Sequence, residues 1–259
     1  LFQGGHNFWT RHYLTTGPVH DLSMLVDGGV TVDAHRLADA MWDFTCQDWW
    51  FTGRTDRSVY PYNLTDCPDN FDLETENTLN GARVISVGRM GAIGKNSADK
   101  ALLAMFRSAQ KNIKLFQQDL GAPKVGPFVI AYWPEDVLGE FAQAILRGVD
   151  IYLVVSTPQS IPGGLTFASA TYGNGWQPED VVEKVLEWAE AHPEVIPAGV
   201  DMRAELCEHF HAAQLRFNDT DNSWPGDVGI GNHSKFFSVD DKAFYLGSQN
   251  LYLSNLAEF

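Results

Sequence analysis

The sequence predicts an α/β protein in which mixed, largely parallel sheets are flanked by helices. Segments with helical spacing of apolar residues alternate along the chain with short apolar runs of strand length, a pattern typical of parallel or mixed sheets. Turn residues bound most of these runs. With 259 residues, 44% of them hydrophobic and 20% charged, the chain is long enough to bury a substantial core.

The first third of the chain contains one clearly periodic segment. Leu37, Met41 and Phe44 fall on one face of a predicted helix over 33–45. The less regular elements around it are a strand and turn over 22–32, a loop over 46–80 and a strand over 83–87. The loop is rich in Asp, Asn, Thr, Pro and aromatic residues, and loops of that length are usually functional or disordered.

The remaining elements follow from helix caps and apolar runs. Asn96 or Ser97 can cap one helix, and a proline followed by two acidic residues begins each of two later helices. The run over 149–156 is apolar throughout, which predicts a strand buried on both faces. The other predicted elements are helices over 98–112, 134–147 and 178–191, and strands over 113–119 and near 213–217, 234–240 and 242–247.

The net charge indicates which partners are unfavourable. The chain carries a formal charge of −15 with a pI near 4.8, and nucleic-acid affinity depends on Lys and Arg that neutralise phosphates. A nucleic-acid partner is therefore disfavoured, although a local basic cleft remains compatible with an acidic surface. No apolar run reaches the roughly 18–20 residues that span a bilayer.

The cysteines and glycosylation sequons are compatible with secretion. Cys46 and Cys67 flank the predicted loop and could form a disulfide in an oxidising compartment, or all three cysteines, including Cys207, could be thiols. Sequons at Asn63 and Asn218 add modest support for an extracellular location. The chain starts without Met, so we expect a fragment or a processed product.

One motif near the end of the chain carries chemistry. His233, Lys235 and Asp240 form the pattern H-x-K-x4-D, and Gly-Ser-x-Asn follows with Ser248 and Asn250. Metal-free hydrolysis of a phosphodiester needs a nucleophile, an acid for the leaving oxygen, and donors for the other oxygens. Positions i and i+2 of a strand share a face, so His233 and Lys235 are predicted to enter one cleft, with Asp240 on the opposite face in a structural role.

With both patterns in place, the sequence resembles the phospholipase D superfamily, whose members pair two such motifs. The resemblance to secreted microbial phospholipases D covers most of the chain, and is thin over 48–80 and 157–212. The segments that carry it are 4–9, 18–21, 42–46, 116–120 and 244–252. It implies a phospholipase D-like sandwich with an incomplete N-terminal half, in which 1–95 is the remainder of the first half and 96–259 is the second.

The first motif is expected to lie outside these residues. The start of the chain, with Gly4, Gly5 and Asn7, repeats the pattern around Asn250, but no other histidine has Lys two residues later. By the spacing of the second motif, the equivalent histidine would lie before Leu1.

The resemblance also implies a role for each residue. The first-motif histidine would form a phosphohistidine, and His233 would act as general acid and then activate water. Asp21 would orient His233, or could instead cap a turn, and Glu258 would orient the absent histidine, or could be a solvated terminus. Many secreted relatives have Asp where this chain has Glu258. The residues that would bind phosphate are Lys235, Asn250, Ser248 and Asn7.

The function implied is hydrolysis or transphosphatidylation of glycerophospholipids at a membrane surface. The resemblance implies a secreted or extracellular enzyme that needs no metal and no cofactor. It also implies a partner, namely a complementary fragment that carries the first motif. Two alternatives stay open: another phosphodiesterase of the superfamily, such as a nuclease or phosphatidyl transferase, and a non-catalytic fragment.

Overall fold

The computed structural model confirms the predicted α/β class. It contains a five-stranded mixed sheet together with helices. The residues that it describes are 1–6, 18–46, 81–89, 97–118, 120, 124–125, 128–129, 135–157, 160, 176–217 and 229–251.

The helices and strands of the described residues have the following bounds. The helices are α1 (Val30–Cys46), α2 (Ser97–Arg107), α3 (Glu135–Leu146), α4 (Pro178–Ala191) and α5 (Met202–His209), with a 3-10 turn at Pro193–Val195. The strands are β1 (Phe2–Gly4), β2 (Val19–His20), β3 (Ser23–Leu25), β4 (Asn112–Gln117), β5 (Lys124–Val125), β6 (Phe128–Val129), β7 (Asp150–Val155), β8 (Phe210–Gln214), β9 (Gly231–Asn232), β10 (Lys235–Val239) and β11 (Ala243–Leu246).

The five-stranded sheet has the order β11-β10-β4-β7-β8. Strands β4, β7 and β8 run parallel to their neighbours in that group, whereas β10 is antiparallel to both β4 and β11. Parallel strands need crossover connections, and the helices α3, α4 and α5 lie along the chain where those connections are required. The core contains fully buried aromatic rings from helix and strand alike: Phe106, Phe141 and Phe237.

The burial predicted for β7 is wrong on one face. Ile151 and Leu153 are buried in the core, but Tyr152 between them is 42% exposed. The exposed side of β7 forms an open apolar groove with residues of the neighbouring strands, including Phe116 and Phe236. The apolar sequence of β7 therefore places hydrophobic residues on both faces of the strand, although only one face is fully buried.

Several element boundaries differ from the sequence prediction. The residues at 83–87 form no strand, and Ile85 is 85% exposed, because this short apolar run pairs with no neighbouring strand among the described residues. Helix α2 ends at Arg107 instead of 112, and β8 begins at Phe210, earlier than predicted. Helix α5 was not predicted because it buries only Met202 and Leu206, which is too short a periodic signal.

Two small sheets connect the start of the chain to its end. Strand β2 pairs in parallel with β9, so that His20 lies opposite Asn232, and β1 pairs with β3, so that Gly4 lies opposite Ser23. These pairings bring the loops that follow β1, β2 and β9 to one place. Within the described ranges, none of the helices is long and apolar enough to cross a membrane.

Candidate active site

A histidine–aspartate pair lies where the two small sheets meet. His233 follows β9 directly, and its backbone N–H donates to the carbonyl of His20 over 2.8 Å. The His233 Nδ1 is 3.0 Å from Asp21 Oδ2, and the side chain of Asp21 is fully buried while that of His233 is 13% exposed. The other carboxylate oxygen, Oδ1, accepts from the Leu22 N–H over 2.8 Å, which fixes the carboxylate plane.

The surroundings of His233 favour its neutral form. Burial lowers the pKa of the imidazole below its ordinary value of 6.5, and the nearby Lys235 ammonium lowers it further. The hydrogen bond and negative charge of Asp21, with a hydrogen bond to the backbone of Gly5, act in the opposite direction but are outweighed. Asp21 therefore contacts Nδ1 of the ring and partly offsets the effect of burial on the pKa of His233.

Gly5 belongs to this site because a larger residue would not fit. A Cβ atom at this position would lie 2.6 Å from Asp21 Oδ1 and 2.6 Å from the His233 carbonyl oxygen. Both are polar atoms held by other contacts, so the backbone can approach the pair only without a side chain. This close approach explains the second glycine of the Gly-Gly pair near the start of the chain.

Lys235 is buried beside His233, although the predicted arrangement of the two on one strand is wrong. His233 and Ser234 lie between β9 and β10, where the chain leaves the small sheet and enters the five-stranded sheet. Lys235 begins β10 and is 1% exposed. Its Nζ donates to the His233 carbonyl over 2.6 Å and to Gln118 Oε1 over 3.2 Å. His233 and Lys235 therefore lie close together because the chain passes from one sheet to another between them, and not because side chains alternate along a single strand.

Asn250 follows β11 and is 7% exposed. Its Oδ1 accepts from Gln117 Nε2 over 2.8 Å. Its backbone carbonyl accepts from Arg89 Nη2 over 3.2 Å, and Arg89 is itself buried and paired with Asp99. Because Gln117 takes the Asn250 oxygen, the Nδ2 is the amide group that can donate to an anion.

Of the other predicted phosphate-binding and orienting residues, one lies in the described part of the chain and two lie outside it. Ser248 is half-buried in the turn after β11. Asn7 and Glu258 lie outside the described residues, as does Cys67, so the predicted disulfide and those two roles stay predictions. Cys207 is exposed and carries a free thiol.

Asp240 lies at the far end of β10 from Lys235. Its carboxylate accepts from the backbone N–H groups of Gln110, Lys111 and Asn112 over 2.7–3.1 Å. Burial acts to raise the pKa of Asp240, but these backbone hydrogen bonds and the charge of Lys242 together lower it below its ordinary value. These contacts join the turn after β10 to the residues at the start of β4, and the structural role of Asp240 stays a prediction.

The site includes residues that sequence reasoning did not single out. Gln117 and Gln118 contact the predicted phosphate ligands, and Arg89 holds the Asn250 backbone. Asn232 donates to the carbonyl of Gln117 over 3.0 Å, and so ties β9 to β4. The sequence did carry a signal, because two consecutive amides at the end of an apolar strand are uncommon where the strand is buried.

Taken together, these residues form a site suited to an anion beside a group that exchanges protons. A buried ammonium and an amide donor can hold anionic oxygens, and an oriented imidazole next to them can give or take a proton. Within the described ranges, no group of three or more His, Cys, Asp or Glu side chains could hold a metal ion.

Comparison with known proteins supports a relationship to phospholipase D. No family model matches the chain. A protein named phospholipase D from Streptomyces antibioticus is 24% identical to it over 303 aligned positions, which cover 99% of this chain and 52% of the relative. The chain is therefore similar to this relative over nearly all of its own length and spans about half the length of the relative.

Proposed function

We propose that this chain is part of a phosphodiesterase of the phospholipase D type that acts on glycerophospholipids, with His233 as its general acid and base. The observation that carries the proposal is the 3.0 Å contact between His233 Nδ1 and the buried carboxylate of Asp21. A buried carboxylate that orients an imidazole is a recurrent arrangement for proton transfer. The similarity of nearly the whole chain to a phospholipase D supports the same activity.

In this mechanism the phosphate lies between Lys235 and Asn250. Lys235 contributes a positive charge, and Asn250 contributes a neutral donor through its Nδ2. Both groups would stabilise the negative charge that grows on the non-bridging oxygens during attack. Because Asp21 contacts Nδ1, we assign Nε2 of His233 as the nitrogen that exchanges a proton with the substrate.

The reaction takes two steps through a phosphohistidine. A second imidazole forms a P–N bond while the bond between phosphorus and the alcohol oxygen breaks, and His233 Nε2 gives its proton to that oxygen. His233, now neutral, takes a proton from water as the water oxygen attacks phosphorus and the P–N bond breaks. An alcohol in place of water would give transphosphatidylation. No metal or cofactor takes part in either step.

The lowered pKa of His233 fits an acid that acts only when substrate is bound. In the free site, burial and the Lys235 charge keep the imidazole neutral near pH 7. A phosphodiester anion bound beside the ring would favour its protonated form and raise its pKa. Substrate binding would then generate the acid, and the ring would be neutral for the second step because it has given its proton to the leaving oxygen.

The second imidazole comes from outside the 259 residues in this proposal. No other histidine of the sequence has Lys two residues on, so the nucleophile would be supplied by a first motif on further chain or on a complementary fragment. The relative is about twice as long as the part of it that this chain matches. A secreted or extracellular location belongs to the same proposal and is supported by the resemblance to secreted enzymes.

A reconstitution assay tests the proposed function. The chain is mixed with a fragment that carries the first motif and assayed on phosphatidylcholine vesicles and on single-stranded DNA. We expect release of phosphatidate only from the mixture and a loss of about a thousandfold or more for His233→Ala, in the range of a removed acid–base group. Turnover of DNA alone would contradict a lipid substrate. Full turnover by the isolated chain would contradict an external nucleophile.

A further inference from the structure

Two consecutive glutamines lie directly behind the proposed phosphate ligands. Gln117 ends β4, the central strand of the five-stranded sheet, and Lys235 is its register partner on β10. Gln118 follows in the chain. Gln117 is fully buried and Gln118 is 9% exposed, so that their amides face protein groups rather than solvent. Burial of two amides is favourable only where they make hydrogen bonds.

The two glutamines contact different ligands of the same anion site. Gln117 Nε2 donates to Asn250 Oδ1 over 2.8 Å, and Gln118 Oε1 accepts from Lys235 Nζ over 3.2 Å. Both backbones are also anchored. The Gln117 carbonyl accepts from Asn232, and the Gln118 carbonyl accepts from the backbone and the hydroxyl of Ser156. The pair therefore holds the amide and the ammonium on one rigid strand end.

We propose that Gln117 and Gln118 are positioning residues that orient the phosphate-binding groups of Asn250 and Lys235. The inference rests on the proposed function and extends it to residues that do not touch the substrate. Neither glutamine reaches the reacting atoms in this account. Gln117 acts through Asn250, and Gln118 acts through Lys235.

The chemistry of a primary amide explains why Gln117 matters for an anion. An amide pair can hydrogen-bond in two senses. When Gln117 donates to the Asn250 oxygen, the Asn250 Nδ2 is turned toward the cleft and can donate to phosphate. In the reverse sense Asn250 would present its oxygen, which repels a phosphate oxygen. In the observed arrangement Gln117 Nε2 makes the contact to Asn250 Oδ1, and the Gln117 Oε1 accepts no hydrogen bond within the described part of the chain.

A neutral partner such as Gln118 suits the ammonium of Lys235 for a similar reason. A carboxylate beside Lys235 would neutralise the ammonium and weaken its attraction for an anionic substrate. A neutral amide oxygen accepts one N–H and keeps the full positive charge of the ammonium. The second partner of Lys235 Nζ, the carbonyl of His233, is neutral as well. These two contacts hold the ammonium without neutralising it.

Binding of inorganic phosphate to the full chain tests this inference without requiring turnover. The dissociation constant is measured by calorimetry for the wild type, for Gln117→Met and Gln118→Met, and for the matched control Gln143→Met on the exposed face of α3. We expect each of the first two variants to bind about fivefold to tenfold more weakly, as for a lost hydrogen bond near a charged group. The control should bind as the wild type does.

A double-mutant cycle separates positioning from a general loss of structure. In an Asn250→Ala background, Gln117→Met should weaken phosphate binding no further, because the group it orients is absent. In a Lys235→Met background the same holds for Gln118→Met. If either glutamine variant weakens phosphate binding as much in its mutant background as in the wild type, the positioning role is wrong. If Gln117→Met does not fold, Gln117→Asn replaces it, because the shorter amide keeps a neutral polar group at this position and removes the contact to Asn250 Oδ1.

The outcomes also distinguish this inference from the proposed function. If the wild type binds phosphate, and Asn250→Ala and Lys235→Met weaken binding while the glutamine variants do not, the positioning role is wrong and the proposed function stands. If the wild type binds no phosphate, or binds it with no dependence on Lys235 and Asn250, the proposed function fails and this inference fails with it.

Discussion

The site has two sides, the imidazole of His233 on one and the groups of Lys235 and Asn250 on the other. The two sides have chemically different partners. His233 is held by a buried carboxylate, Asp21, whereas Lys235 and Asn250 are held by the neutral amides of Gln118 and Gln117. A carboxylate beside an imidazole raises its pKa and favours proton uptake. A carboxylate beside an anion-binding group would cancel its charge. The comparison indicates that a group that exchanges protons and a group that binds anions require different supports, even a few residues apart in the chain.

The largest effect should come from removing the imidazole itself. In the reconstituted assembly, His233→Asn is expected to reduce kcat by about a thousandfold or more, because no group remains to protonate the leaving oxygen. The measurement is phosphatidate release at saturating lipid. A drop confined to KM would show that His233 binds substrate and transfers no proton, and would remove the functional difference between the two sides.

Asp21→Asn should have the next largest effect. The variant keeps the shape of the contact but removes the charge, so the His233 ring loses orientation and its pKa falls further. We expect kcat to fall by about a hundredfold, as for a misplaced catalytic group, with the limb of the pH profile that reports the His233 pKa shifted to lower pH. Gln118→Met, on the other side of the site, should leave that limb where it is. A shift of equal size in both variants would show that the two sides of the site do not differ in their effect on the His233 pKa.

The pH dependence of stability follows from the same pair. The pKa of His233 is lower in the folded protein than its ordinary value of 6.5, and burial lowers that of His20 as well. The unfolded chain therefore binds more protons, and stability should fall as the pH drops from about 6.5 through the folded pKa values. Urea unfolding at several pH values should show this slope, and it should be shallower in His233→Gln.

Asp240→Ala should have the smallest effect and no effect on the anion site. Its carboxylate accepts three backbone N–H groups at an exposed turn, so we expect a loss of about 1 kcal/mol in the free energy of unfolding. Asp240→Asn keeps an acceptor and tolerates the backbone φ of 55° at this position, and it should lose less. Phosphate affinity should be unchanged in both variants, and weaker binding would contradict a purely structural role.

The lowered pKa of Asp240 gives this residue a pH window of its own. Because the pKa is lower when folded than its ordinary value of 3.8, its contribution is present above that pH and is lost as the pH falls through the folded value. The histidine effect begins at higher pH than the aspartate effect. A difference between wild type and Asp240→Asn should therefore be present at neutral pH and disappear in the acidic part of the curve, where the carboxylate of the wild type becomes protonated.

Local patterns in the sequence predicted the elements and the motif, but not how they meet. Helix α4 was predicted over its observed residues, because its proline start and apolar period are local signals. The pairing of Lys235 with Gln117 was not, because it depends on the register between two strands far apart in the chain. The prediction that His233 and Lys235 share a strand was wrong because the chain changes sheets between them.

If His233 lies next to a phosphate-binding site, the pKa of its imidazole should respond to phosphate, and this pKa can be measured directly. The His233 ring signals can be titrated by NMR in the free chain and with saturating inorganic phosphate, with Lys235→Met as the control that removes the cation. We expect a pKa below 6.5 in the free chain and a clear rise with phosphate in the wild type, but little rise in Lys235→Met. A His233 pKa that does not change with phosphate would contradict the account.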